Sequence, residues 1–317
     1  MNASAYERAA MDKPFLPTED PELWKQAWRH AKERSPVNRR FRFAAEDEIA
    51  EWNQRAESYT RKAASEGSQS LRESILEWLT SAGALNRNFT AIDIGAGPGS
   101  FSIPLASQLR EIWALEPARE MIKILKIRLS EAGLDNIRCT GEKWEEVIPE
   151  RASWIEKFDL VFASMSPGIS DPEALDKMNR VSRKFCYLSA WSGPYWGNWG
   201  KAKDDIWHEM FQEDLGDYPN DILYAFGLLY SEGYRPEIRF RQLESKIEED
   251  SRKVNDELIG LFSQYTEITS REQRLIEEYV SHHSAGGVFS QSWTASQGFM
   301  LWRADWRAMR VKRTAPL

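Results

Sequence analysis

The chain has 317 residues and a formal net charge of −7, from 49 acidic and 42 basic side chains, with two cysteines and 14 tryptophans. A chain of this length buries roughly three quarters of its extended surface, so it needs no disulfide or metal staple, and two cysteines are too few for a disulfide scaffold, an iron–sulfur centre or a zinc cluster. The acidic balance argues against nucleic acid as the main ligand; the opening MNASAYERAAMDKPF lacks a signal peptide's apolar stretch and no run reaches membrane length, so a soluble cytoplasmic protein is expected.

Residues 1–85 read as a polar, helical N-terminal cap. Asp20 caps a helix that opens with Pro21. Glu46 to about Ala64 continues helically, with Ile49, Trp52, Ala56 and Tyr59 at spacings of three or four. Ser65 to Ser70 reads as a break. Leu71, Ile75, Leu76 and Leu79 then form another apolar stripe that stops near Gly83.

Residues 86–317 read as one binding domain, and here the pattern becomes alternating strand and helix. Phe89–Ile94 is a strand, Phe101–Leu109 a helix, Glu111–Glu116 a strand and Ala118–Ala132 a helix stopped by Gly133. Further strands are expected at Asn136–Thr140, Phe158–Ala163 and Lys184–Ala190. Such alternation implies an α/β fold, a doubly wound, seven-stranded, mostly parallel sheet covered on both faces. In the tail, Asp221–Ser231 reads as a helix, Pro236–Arg241 as an edge strand and Phe299–Trp302 as an interior one. Between them a helical insert is expected at about 244–283, with helices at Ser245–Gln264 and Ser270–His282.

The first strand runs into Asp93-Ile94-Gly95-Ala96-Gly97-Pro98-Gly99-Ser100. A glycine-rich turn between strand and helix binds polar or anionic ligands, because backbone amides and a helix N-terminus point into it. Glycines at alternate positions differ from the dinucleotide pattern G-x-G-x-x-G, and no Gly-Lys-Ser/Thr follows, so a phosphate-cradling P-loop is absent. About twenty residues on, Glu116 ends the second strand, where a carboxylate can accept from both hydroxyls of a ribose.

Together these residues resemble the class I S-adenosylmethionine-dependent methyltransferases. Asp93-x-Gly95-x-Gly97-x-Gly99 matches that family's first motif, and the resemblance covers roughly residues 85–190. It implies S-adenosylmethionine as cofactor, with S-adenosylhomocysteine as product. It also implies a cofactor site formed by Asp93 at the methionine's amino end, the loop residues Gly95, Ala96, Gly97 and Gly99, and Glu116 with Pro117 at the ribose. Met121 would pack near the adenine, with Glu142, Lys143 and Trp144 after strand three, Ser164 at the end of strand four, and Tyr59 on a capping helix.

The substrate is expected beside the same strand ends. Ser164-Met165-Ser166-Pro167-Gly168-Ile169 is similar to the Asn/Asp/Ser-Pro-Pro-aromatic motif of amino-group methyltransferases, but Gly168 and Ile169 replace the second proline and the aromatic. A tight turn lining the cofactor site is the better reading. Ser166, Trp191, Tyr195 and Trp196 are the substrate-wall candidates, the last three on an aromatic loop that could stack on planar groups or hold a cation.

No catalytic base is assigned; Tyr195, His208 and Asp171 are candidates of equal standing. His282 and His283 are adjacent, pointing about 100° apart on a helix, so no metal site is expected. The leading expectation is methylation of a small or medium organic molecule, with nucleic acid and membrane unfavoured as partners. The alternatives are RNA or protein methylation through Arg39, Arg40, Arg42 and the basic stretch Arg303–Arg313, or a non-catalytic cofactor-binding protein. Oligomeric state is not read.

Overall fold

A strand buried on both faces needs apolar side chains nearly everywhere. Thr90–Ile94 (β1) is buried throughout, and Phe158–Ser164 (β4) is buried except at Ser164. These two adjacent parallel strands are the middle of the sheet in the computed structural model, which describes residues 20–35, 48–193, 199–215 and 218–306.

Glu111–Leu115 (β2) and Ile137–Thr140 (β3) extend the sheet on one side, and Ser182–Ser192 (β5), Val288–Arg303 (β8) and Glu237–Asp250 (β6) on the other. The spatial order is β3-β2-β1-β4-β5-β8-β6, with the two-residue Ser284–Ala285 (β7) pairing only to β8. The first five strands run parallel, and β8 lies antiparallel between β5 and β6. The direction of winding reverses between β1 and β4, which opens a crevice at their carboxyl ends. The mixed α/β fold is therefore as expected.

Pro21–Arg34 (α1) begins as read, with Asp20 accepting from Glu22 N and Pro21 in the first turn. The three N-terminal helices go to three places. α1 packs over Ile222–Ser231 (α8), an apolar helix held between the sheet and α1. Trp28 stacks on Tyr224 at 6.1 Å and donates its indole N–H to Pro219 O at 2.7 Å. Glu48–Ala63 (α2) lies on Arg119–Ala132 (α5), where Ala56, Ile49 and Trp52 meet Ala118, Met121 and Ile124. Asn53 Oδ1 accepts from Glu120 N at 2.9 Å, fastening α2 to the first turn of α5. Glu66–Ser81 (α3) covers the opposite sheet face through Ile75, Trp78 and Leu79, beside Ser102–Ala106 (α4). The break expected over residues 65–70 is narrower than read: α3 resumes at Glu66 and carries Gly67 inside it.

Pro172–Val181 (α6) completes the first face. Gly200–Phe211 (α7), Ser251–Phe262 (α9) and Ser270–His282 (α10) build a satellite core of their own with Phe289 of β8. The tail corrects the reading at two points. β6 continues through residues 242–250 and pairs with β8 along its whole length, so the helix expected from Ser245 starts at Ser251, capped by Asp250. Lys246, Glu248 and Glu249 favour helix intrinsically, but the ladder to β8 overrides that weak preference. Among the described residues no helix is long and apolar enough to cross a membrane.

Candidate functional site

The glycine loop is fastened to the sheet before it turns: Gly95 N and Ala96 N both donate to Leu115 O, at 2.8 and 3.0 Å. The chain then takes positive φ at Gly95, Gly97 and Gly99. At Gly95 the need for glycine is steric as well, since a Cβ there would lie 2.5 Å from Ser166 Oγ. At Gly97 (φ +54°) a Cβ would meet only Tyr59 Cε1, at 3.8 Å, so the backbone here faces the cleft.

Two carboxylates flank this loop. Asp93, 3% exposed, accepts from Ser102 Oγ at 2.5 Å. Burial pushes its carboxyl up to about 7, against the pull of the Ser102 bond and with a further push from the Glu116 charge. Glu116, 7% exposed, accepts from Gly97 N and Ala118 N at 2.8 Å each, one on each oxygen. Its pKa is also raised by burial, with the two amides opposing. A carboxylate oxygen has two acceptor directions, so each oxygen of Glu116 keeps one for a ligand while the loop fixes the group's orientation.

Tyr59 comes over the loop from α2, edge-on to Trp52 at 5.7 Å. Protein surrounds its hydroxyl, whose pKa is raised by burial and by Glu116 and Asp93, yet the residue is 39% exposed. That combination marks a side chain facing a cleft. Ala96 is buried and Pro117 half-buried beside these groups.

The remaining cofactor candidates are spread more widely. Met121 is buried in the α2–α5 contact. The Trp144 indole sits in the main core and donates to Ala174 O at 3.1 Å, while its Cβ lies 3.3 Å from where a side chain on Gly168 would begin. Glu142 is exposed, 3.4 Å from Thr140 Oγ1, and Lys143 is half-buried. Ser164 Oγ is 2.9 Å from Ser189 Oγ at the end of β5.

On the acceptor side, Ser166 is buried against Gly95. Trp191 is half-buried in β5, paired in register with Gln297 of β8. Tyr195 and Trp196 lie outside the described residues, as do Arg39, Arg40 and Arg42. Met165 has φ +52°, a strained backbone for a residue with a side chain, held by its N–H to Ser189 O at 2.9 Å.

Two of the base candidates are otherwise engaged. Asp171 caps α6, accepting from Ala174 N at 2.7 Å, and pairs with Lys32. The exposed His208 faces Asp214 from α7. His283 stacks on Tyr279 at 4.1 Å at the end of α10. Ser102, Ser189 and Met165 are site residues that spacing did not single out; only a strand register or a short helix places them at the cleft.

The family described as a methyltransferase domain matches residues 85–210, the segment that carries both carboxylates and the loop. Residues 85–210 are thus similar to a methyltransferase domain. S-adenosylmethionine is the cofactor of such a domain. An uncharacterized protein of Haemophilus influenzae is 26% identical over 157 residues, 49% of this chain and 54% of that one. The 23S rRNA (uracil(1939)-C(5))-methyltransferase RlmD of Aliivibrio fischeri is 29% identical over 89 residues, 28% of this chain and 19% of that one. The match thus spans about half of the first relative's length and about a fifth of the second's. Among solved structures, the magnesium protoporphyrin IX methyltransferase of Synechocystis with bound S-adenosylhomocysteine has a TM-score of 0.44 at 14% identity, covering 75% of this chain and 84% of that chain.

Proposed function

We propose that the protein transfers the methyl group of S-adenosylmethionine to a small or medium organic molecule. The observation that carries this reading is the pair of buried carboxylates, Asp93 and Glu116, on either side of a glycine loop whose amide orients one of them. The cofactor supplies an activated methyl group on a sulfonium, with a neutral leaving group. Glu116 would accept the ribose hydroxyls through its two free acceptor directions. Asp93 would accept from the methionine's ammonium, and Tyr59 would close over the loop.

Ser166 and Trp191 would form the side of the cleft left for the acceptor molecule, with Ser164 on the cofactor side. Their task is alignment and exclusion of water, a proximity effect of up to several kcal/mol. α2 would be the part of the residue 1–85 cap that covers the cofactor, and α9 and α10 are the helices of the insert expected at 244–283, packed with α7.

A second reading, methylation of RNA, is favoured by the described activity of the Aliivibrio relative. Transfer of labelled methyl from S-adenosylmethionine into fractionated cell extract separates the two. Label in low-mass organic material supports the proposal, and label confined to RNA supports the second reading. No incorporation into any fraction, with cofactor binding intact, would leave a non-catalytic binding protein.

A further inference from the structure

β6 forms the outer rim of the sheet. It pairs with β8 over its whole length, from Glu237 opposite Leu301 to Asp250 opposite Val288, with no shift in register. Among the described residues no strand pairs with its other side. A free edge presents a row of unpaired backbone N–H and C=O groups, and proteins blunt such rows with proline, bulges or very short strands. β6 has none of these: it is 14 residues long and holds neither proline nor glycine. The Phe240 ring is exposed on it.

Charge is the remaining defence of an edge, and on β6 its pattern favours one partner. A second copy added antiparallel about a two-fold axis normal to the sheet keeps each residue on its own face. Side chains alternate between faces, so the axis must pass through a residue and not between two. With the axis at Ser245, Glu244 of each copy faces Lys246 of the other, and Arg241 faces Glu249. On the face that carries Arg241, Leu243 meets Ile247, which packs against the satellite core of α7, α9 and α10. Unlike charges directly opposite stabilise a strand pair, and like charges destabilise it. Moving the axis by one residue sets Glu244 or Lys246 against its own copy. Among the described residues Arg241 and Glu244 form no ion pair within the chain, whereas Lys246 is paired with Glu248 and Glu249 with Lys253.

We propose that β6 is the interface of a homodimer, in which two copies join their sheets through an antiparallel β6–β6 ladder centred on Ser245. The overlap runs over residues 240–250 of each copy and covers Phe240. The joined sheet is continuous, and neither copy keeps a free β6 edge. β8 and β5 separate β6 from the cleft at β1 and β4, so the proposal does not depend on what the cleft holds.

Sedimentation velocity on the full chain, over about 1–100 μM, tests it. The wild type should show a concentration-dependent dimer. Lys246→Glu and Glu244→Lys each set like charges opposite one another twice across the axis, and each should raise the dissociation constant by about 10-fold or more. The double variant Glu244→Lys/Lys246→Glu restores unlike pairs and should return to within about threefold of wild type. The exchanged side chains are exposed, and circular dichroism melts check that each variant is folded. Arg241→Glu, which faces Glu249, replaces Lys246→Glu should that variant unfold. A wild type that stays monomeric at the highest concentration would overturn the proposal. A dimer indifferent to the single charge reversals, or a double variant no tighter than the singles, would overturn it as well and place the contact elsewhere.

Discussion

Glu116 and Gly97 are joined by a 2.8 Å hydrogen bond from the loop amide to one carboxylate oxygen, while the other oxygen takes the Ala118 amide at the same distance. The end of β2 thereby holds the top of the glycine loop and the start of α5 in one arrangement. A group built to orient its neighbours and still accept from a ligand should be sensitive to loss of charge.

Glu116→Gln replaces one acceptor oxygen with an amide that must face a backbone N–H. Cofactor affinity should fall by about 10- to 100-fold, in line with 1.5–3 kcal/mol for hydrogen bonds to a charged group. Calorimetry with S-adenosylhomocysteine checks it. An affinity within twofold of wild type would remove Glu116 from the ribose.

Asp93 links binding to pH. Its folded value, about 7, lies above the ordinary aspartate value of 3.8. Between those values the folded state therefore holds more protons than the unfolded one, and the group's contribution to stability declines as pH rises from about 4 to about 7. A bound ammonium favours the ionised carboxylate, so cofactor affinity should rise with pH across the same range, and binding at pH 6 should release protons. In Asp93→Asn the ligand-free protein should gain stability at pH 8 relative to wild type and gain less at pH 5, and the pH dependence of affinity should flatten. Thermal melts and titrations at the two pH values read both effects; parallel pH profiles for variant and wild type would contradict them.

Gly95 and Ser166 share one space. Gly95→Ala places a methyl 2.5 Å from Ser166 Oγ on a backbone of φ +72°, which should cost about 1–3 kcal/mol. Ser166→Gly should recover the steric part in the double variant and leave the φ strain. A denaturant double-mutant cycle measures that coupling, and strict additivity would show that the two residues do not touch.

Gly227 supports packing remote from the site. A Cβ there would lie 2.4 Å from the Trp24 ring, so Gly227→Ala should destabilise by about 1–3 kcal/mol through overpacking. S-adenosylhomocysteine affinity at a temperature where the variant is folded should match wild type. A selective loss of affinity would mean that the α1–α8 contact reaches the cleft.

What could be read in the sequence follows the range of the interactions involved. The strand, loop and carboxylate from Asp93 to Glu116 are set by local chemistry, and so the parallel half of the sheet was legible with errors of a residue or two at element ends. β6 was cut short because Lys246, Glu248 and Glu249 look helical until β8, residues away in sequence, supplies their ladder. Trp144 illustrates the same limit, since only the fold shows that its indole N–H is taken by Ala174.

The most direct test of the central claim is a calorimetric titration of S-adenosylmethionine into the full chain and into Gly97→Arg, whose side chain would enter the cleft. Saturable binding by wild type and none by the variant is the expected result. No binding by the folded wild-type protein, or equal binding by both, would contradict the assignment of the Asp93–Ser100 loop as the cofactor site.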